Sequence, residues 1–339
     1  MAQPRRAVLI TGCDSGFGKS LAEKLDKAGQ FLVLAGVFTD QGRDQYEGKQ
    51  NIIPISVDVT SDQSVAAAFE LVKNELARHN ATLYGLVNNA GILTRPGPTE
   101  WQEVTNYERM MSVNLYGVVR MTNTFLPMLR NNQGRIVIVA SIAGRNGLAY
   151  NSAYCASKHA VAGYAEVLRR DMIPWKVRVC VVEPGIFGQT GLYGDWQKGL
   201  DTTWKSLNPS VKEDYGETFY KRTRAMLGFV VKGMSNGDPD EVPLAMIDAL
   251  TNPKPLRRYR PGRDSRTTFR ALPLLPDHWV DTILTRPLGP PNFPAKVQQR
   301  TESHELYGSD TTSSIVVSSL IVLSSLGFYT AGRGLISRM

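Results

Sequence analysis

The 339-residue chain is poor in the residues that staple or metallate small domains, with three cysteines and four histidines. Cys13, Cys155 and Cys180 are odd in number and share no paired spacing, which argues against a disulfide or zinc framework and for a reducing compartment. His79, His159, His278 and His304 are scattered without a ligand pattern, so no metal is expected. Although the formal net charge is +8, no block of like charge exceeds three residues. The densest basic stretch, Arg257 to Arg270, is broken by Pro, Gly and Asp. That texture suits a solvated face or attraction to anionic lipid, and no nucleic-acid partner is expected. The N-terminus, Met1-Ala-Gln-Pro-Arg-Arg, runs directly into an apolar segment and leaves no room for a secretory signal, so secretion is not expected. There is no internal repeat.

What is present is an ordinary globular composition, 42% hydrophobic and 21% charged, on a length that permits two domains at about 150 residues each without requiring them. Short apolar, β-rich runs alternate with segments of helical period. The runs are Ala7 to Thr11, Phe31 to Val37, Ile52 to Val57, Leu83 to Asn88, Arg135 to Ala140, Val177 to Val182 and a weaker Arg257 to Arg260. Helical spacing marks Gly16 to Lys27, Ser64 to His79, Tyr107 to Arg130 and Ser152 to Ile173. The pattern predicts an α/β fold, a Rossmann-type doubly wound seven-stranded parallel sheet with helices on both faces.

Residues 1–270 are therefore read as a catalytic domain, with an insertion at 187–237 that carries one helix near Asp214 to Val231 and covers a substrate. Residues 271–310 form a Pro-rich extension and 311–339 a C-terminal membrane anchor. Within the latter, Ser313 to Ala331 is 19 uncharged residues, preceded by Asp310 and followed by Arg333 and Arg338. As a helix it would span about 28 Å, close to the hydrocarbon thickness of about 30 Å. Such an anchor leaves the catalytic domain facing the cytosol.

Two constellations carry chemistry. The first run ends in Thr11-Gly12-Cys13-Asp14-Ser15-Gly16-Phe17-Gly18 and opens a helix. These glycines fall where a backbone must turn tightly and approach a phosphate at a helix N-terminus. Tyr154 and Lys158 are four residues apart on one helical face after the fifth run, and Ser141 ends that run. The spacing is weak evidence alone; its position beside the expected cofactor crevice makes it informative. A tyrosine near its ordinary pKa of about 10 is a poor base near neutrality, and an adjacent ammonium favours the phenolate. Tyr154 can then exchange a proton with a substrate oxygen while hydride moves at the carbon.

From about Arg6 to Pro294 the sequence resembles the short-chain dehydrogenase/reductases, in particular the branch of retinol dehydrogenases, 17β- and 3α-hydroxysteroid dehydrogenases and 3-hydroxybutyrate dehydrogenase. The resemblance rests on the glycine loop with Cys13-Asp14-Ser15 and Phe17, Asn88-Asn89-Ala90-Gly91, Val139 to Arg145, Leu168 to Met172, and Val182-Glu183-Pro184-Gly185. It implies that Gly12, Gly16 and Gly18 pack under the cofactor pyrophosphate, with Ser15 and Phe17 of the same loop among the contacts. It further implies Asp58 at the adenine, Asn89, Ala90 and Gly91 near its ribose, Lys158 with Tyr154 at the nicotinamide ribose, and Pro184 and Gly185 at the nicotinamide. Ser141 would hold the substrate oxygen, and Asn114 a water linking Lys158 to solvent. The family's threonine for the carboxamide falls at Gln189, with Thr190 one residue later, and both stay open. NAD is favoured over NADP because Gly36 and Val37 offer neither acid nor cation and Ser15 no cation; Lys19 and Arg43 keep NADP open.

The implied reaction is hydride transfer with a hydrophobic alcohol or carbonyl, retinoid or steroid first, at a membrane of the endoplasmic reticulum rather than the mitochondrial outer membrane. A homo-oligomer is compatible. Two other readings stand: a short hydroxy-acid dehydrogenase, with Arg145 nearest to anchor a carboxylate, and a cofactor-binding scaffold without catalysis. The joint presence of Asn114, Ser141, Tyr154 and Lys158 argues against the scaffold.

Overall fold

The computed structural model describes residues 4–194, 196–233, 237–285 and 294–297. The chain divides into two compact units. One comprises the described residues up to Leu207 with Arg224–Pro273; the second takes Asn208–Thr223 and the described residues from Leu274 onward.

The first unit is built on seven parallel strands: β1 Arg5–Thr11, β2 Leu32–Val37, β3 Ile52–Ser56, β4 Ala81–Asn88, β5 Arg135–Val139, β6 Arg178–Val182 and the short β7 Arg258–Tyr259. Their spatial order is β3-β2-β1-β4-β5-β6-β7. Order reverses between β1 and β4, and such a switch point opens a crevice at the carboxyl ends of the strands.

The strand sequences read as nearly continuous apolar runs because both faces are covered. Ala7 and Leu9 of β1 join Leu32 and Leu34 in one core, beneath α3 (Asp62–Arg78), α5 (Val118–Asn131) and α6 (Ser152–Asp171). Their neighbours Val8, Ile10, Val33 and Ala35 point the other way, into a core closed by α1 (Gly16–Ala28) and α10 (Glu241–Thr251). Fully burying a side chain such as Phe125 or Leu21 contributes about 1.5–3 kcal/mol each, and both are inaccessible. The helices start and stop on local chemistry. Ser61 caps α3 by accepting from the Ser64 N–H, and Gly29 closes α1 in a left-handed turn at φ 66°.

Several elements depart from the sequence expectation. Tyr107 to Arg130 is not one helix. It comprises α4 (Val104–Met111), a π-helical turn Ser112–Gly117, and α5. A single π turn is too short for periodicity to resolve, yet such turns collect at functional sites. The 187–237 insertion carries three helices rather than one: α7 Trp196–Ser206, α8 Pro209–Tyr215 and α9 Glu217–Gly233. The short α2 (Asp40–Asp44) and the buried α10 are also additional. After β7 come α11 Arg263–Arg266, α12 Thr268–Ala271 and α13 Asp277–Thr285. Among the described residues no helix is long and apolar enough to cross a membrane. The segment Ser313 to Ala331, expected as an anchor, lies outside the described residues.

Candidate active site

At the switch point the glycine loop is clasped to the end of β4. Thr11 Oγ1 accepts from the backbone N–H of Asn89 and of Ala90, each at 3.0 Å. The Asn89 amide donates back to the carbonyls of Thr11 at 2.9 Å and Gly12 at 3.2 Å. Gly12 and Gly16 have φ of +72° and +58°, a region where a side chain is strained. A Cβ on Gly12 would lie 2.9 Å from Ala90 Cα, and one on Gly18 would lie 2.6 Å from Asn89 Nδ2 and against the Gly12 carbonyl. Ser15 stands at the N-cap of α1 without a side-chain cap bond, so the first N–H groups of that helix remain open to an anion. Phe17 and buried Phe187 meet in a T-shaped contact, ring centres 5.6 Å apart, tying the loop to the segment after β6.

The predicted catalytic residues converge beside this loop. Lys158 and Tyr154 are 5% and 7% exposed, and Lys158 Nζ lies 5.7 Å from the Tyr154 ring centre. The ammonium donates to the Val139 carbonyl at 3.0 Å. Burial lowers the lysine to about 8 and raises the phenol to about 12, the latter opposed by a hydrogen bond with Ser141. Ser141 itself follows β5 and accepts from the Ala143 N–H at 3.2 Å. Asn114 sits in the π turn, nearly inaccessible. It accepts from Ile92 N–H at 2.9 Å and donates to the Ile92 carbonyl and to Ser157 Oγ, both at 3.0 Å. Gly91 keeps space open between the groups, because a Cβ there would stand 3.3 Å from Asn114 Oδ1 and 3.5 Å from Lys158 Nζ.

Other predicted contacts occupy more structural positions. Asp58, two residues past β3, accepts from the N–H and the hydroxyl of Thr60 at 2.8 and 2.7 Å. Pro184 and Gly185 follow β6: the Pro184 carbonyl accepts from Ile142 N–H, and Gly185 packs on the Asp264 carboxylate, which also accepts from Ile186 N–H at 2.9 Å. Thr190 donates its hydroxyl to the Phe187 carbonyl at 2.9 Å, whereas the Gln189 amide reaches the Gly237 carbonyl at 3.4 Å.

Three features escaped the sequence reading. Asp14, inside the glycine loop, accepts from Phe38 N–H at 3.0 Å and from the N–H and hydroxyl of Thr39, each at 2.8 Å. It thereby sets a carboxylate at the end of β2, where Gly36 has none and Val37 is 1% exposed and turned into the core. Glu183, 2% exposed, is ringed by Arg145 at 3.2 Å, Arg260 at 3.2 Å and Arg258. Arg145 is thus already engaged by a buried carboxylate instead of standing ready for a substrate's. Tyr193, in the turn Gly191–Tyr193, has its phenol held high by burial and then by Tyr154 and Asp264. A lone charge within an apolar motif was the available signal for Asp14 and Glu183.

A doubly wound sheet with a glycine loop opening an uncapped helix and a phenol–ammonium pair at its switch point has the layout of a dinucleotide-using oxidoreductase. The chain belongs to the short chain dehydrogenase family, whose family model matches residues 6–200. It is 39% identical over 284 residues to 17-beta-hydroxysteroid dehydrogenase type 6 of Bos taurus, covering 82% of this chain and 87% of that one. Retinol dehydrogenase 16 of Mus musculus is 36% identical over 281 residues, with the same coverage of 82% and 87%. A short-chain dehydrogenase from Streptomyces avermitilis superposes with a TM-score of 0.64 at 26% identity, covering 87% of this chain and 98% of that one.

Proposed function

We propose that this enzyme transfers a hydride between NAD and the alcohol or carbonyl carbon of a hydrophobic molecule of the steroid or retinoid kind. The observation that carries the reading is the convergence of Tyr154, Lys158, Ser141 and Asn114 beside the glycine cradle at the switch point. The loop fits a dinucleotide: Gly12 and Gly18 let the backbone close onto Ala90 and onto itself where a methyl would clash, Gly16 faces open space, and the α1 N-terminus is uncapped. A bound nicotinamide cofactor supplies the hydride acceptor or donor. The Ser141 hydroxyl holds the substrate oxygen, and Tyr154 exchanges a proton with it. The Lys158 charge stabilises the phenolate form, and Asn114 orders the path by which Lys158 reaches solvent. The names of the bovine and mouse relatives favour a lipophilic alcohol. A panel of androstane-type steroids, retinol and 3-hydroxybutyrate tests the substrate class. Turnover of 3-hydroxybutyrate alone would overturn it.

The cofactor preference follows from charge. Asp14 presents a carboxylate at the loop–β2 junction, while Lys19 and Arg43 already pair with Glu23 at 4.0 Å and Asp40 at 3.2 Å. A 2′-phosphate there would meet a like charge. Asp14→Asn keeps the shape and removes the charge. Its expected result is a shift of about tenfold or more toward NADPH in the ratio of dissociation constants, equivalent to about 1.4 kcal/mol, read by NADH and NADPH fluorescence titration. A wild type that binds NADPH more tightly would overturn the preference.

The reading extends to location. The 19 uncharged residues Ser313 to Ala331 hold the enzyme on a membrane with its catalytic unit in the cytosol, the endoplasmic reticulum first. Truncation after Asp310 is expected to move the protein from the carbonate-resistant membrane fraction to the soluble fraction, with turnover of a water-soluble alcohol retained. Full-length protein recovered wholly in the soluble fraction would refute the anchor. Among the arginines of 257–270, Arg258 and Arg260 are engaged by Glu183, and Arg266 pairs with Glu241 at 2.8 Å. Arg258 and Arg260, held by a buried carboxylate, are structural cations rather than the lipid-facing charges expected from sequence.

A further inference from the structure

At the amino ends of the central strands, the edge opposite the catalytic residues, lies an open groove of about 940 Å³. Seven cationic side chains line it and no carboxylate does. The arrangement follows from the chain: Arg6, Arg135 and Arg178 stand at the beginnings of β1, β5 and β6, Arg169 ends α6, and Lys176, Lys254 and Arg257 come from the connections into β6 and β7. Among the described residues none of the seven forms an ion pair with an acid. Arg135 is buried and donates to the Ala249 carbonyl at 2.7 Å, and Arg6 lies over the Tyr84 ring at 4.4 Å. The contrast is with Glu183, which gathers Arg145, Arg258 and Arg260 around one carboxylate. Seven cations gathered without one repel each other, and an anion relieves that repulsion.

The rim decides which anion. Ile173 and Leu256 line the groove yet are 65% and 60% exposed, and Trp175 beside them is 49% exposed under the guanidinium of Arg130 at 4.4 Å. A soluble phosphate needs none of these apolar groups. A bilayer surface takes both parts, the cations at its headgroups and the tryptophan and aliphatic tips just below them. We propose that this groove is a docking surface for the phosphate headgroups of an anionic membrane. It acts independently of the Ser313 to Ala331 segment. Contact here leaves the cofactor crevice, at the other edge of the sheet, open to solution.

The test uses the full chain, because lipid charge separates the groove from an apolar tail. Sedimentation with phosphatidylcholine vesicles, alone or mixed with phosphatidylserine, gives a partition ratio expected to favour the anionic vesicles by about tenfold or more. Lys176→Glu/Arg257→Glu, both exposed and remote from catalysis, is expected to bring that ratio close to one with turnover unchanged. Lys73→Glu/Arg109→Glu, the same charge change on exposed helical positions outside the groove, should leave it intact. Trp175→Ala should weaken anionic-vesicle binding without altering any thermal shift caused by inorganic phosphate or pyrophosphate. A wild-type ratio of one, or a ratio that survives the Lys176 and Arg257 reversal, overturns the proposal. A phosphate-induced thermal shift without vesicle preference does so too, and assigns the groove to a soluble anion.

Discussion

Tyr154→Phe is expected to lower turnover at least about 10²-fold, the loss typical of a missing general acid or base, while cofactor binding and fold persist. The ring fills the same buried space, so packing is kept and only the hydroxyl is lost. That hydroxyl is held high, to about 12, chiefly by burial, and is therefore protonated at neutral pH in the free protein. A protonated phenol is ready to donate to a carbonyl. Oxidation of an alcohol needs its anion, so the oxidative rate should climb with pH, whereas the reductive rate should not. Lys158, lowered to about 8 by burial, carries its stabilising charge below that pH and loses it above, so the oxidative climb should bend near there. Rates measured in both directions across pH check the signs. Retention of more than about a tenth of wild-type turnover by Tyr154→Phe, against the loss expected, would remove the phenol from the mechanism.

The parallel sheet was legible because the central strands bury both faces and leave apolar runs: Ala7 to Thr11 and Val177 to Val182 stand out with no other information. The proposed quartet of Asn114, Ser141, Tyr154 and Lys158 could be picked out because each member falls at the end of such a run or in the helical segment that follows it. What escaped depends on contacts distant in sequence. Periodicity cannot tell that Asn114 sits in a π turn, because one turn of six residues is too short to establish a period of its own. Nor does it show that Arg145 is spent on Glu183, 38 residues away. Asp14 reads locally as a loop residue; its role appears only when the end of β2 returns beside it. The apolar richness of α10, whose Val242, Met246 and Leu250 are all inaccessible, reports burial without stating which sheet face it covers.

The glycine cradle yields the second large effect, because its geometry leaves no slack. Gly18→Ala places a methyl against the Gly12 carbonyl and 2.6 Å from Asn89 Nδ2. The first neighbour is backbone and cannot swing aside, so either α1 or the loop must shift. Overpacking of this kind costs about 1–3 kcal/mol of stability. The greater loss falls on the cofactor, since the same shift misaligns the N–H groups that would receive the pyrophosphate. The expected dissociation constant for NADH rises about 100-fold, equivalent to about 2.7 kcal/mol, by fluorescence titration. Gly163→Ala is the matched control. Its added methyl meets nothing within 4 Å on the surface of α6, and replacing a helical glycine should gain about 0.5–1 kcal/mol with NADH binding unchanged. A Gly18→Ala protein that unfolds at the wild-type temperature and binds NADH as tightly as wild type would mean that the dinucleotide does not cross this loop. The convergence of Tyr154 and Lys158 beside it would then need another explanation.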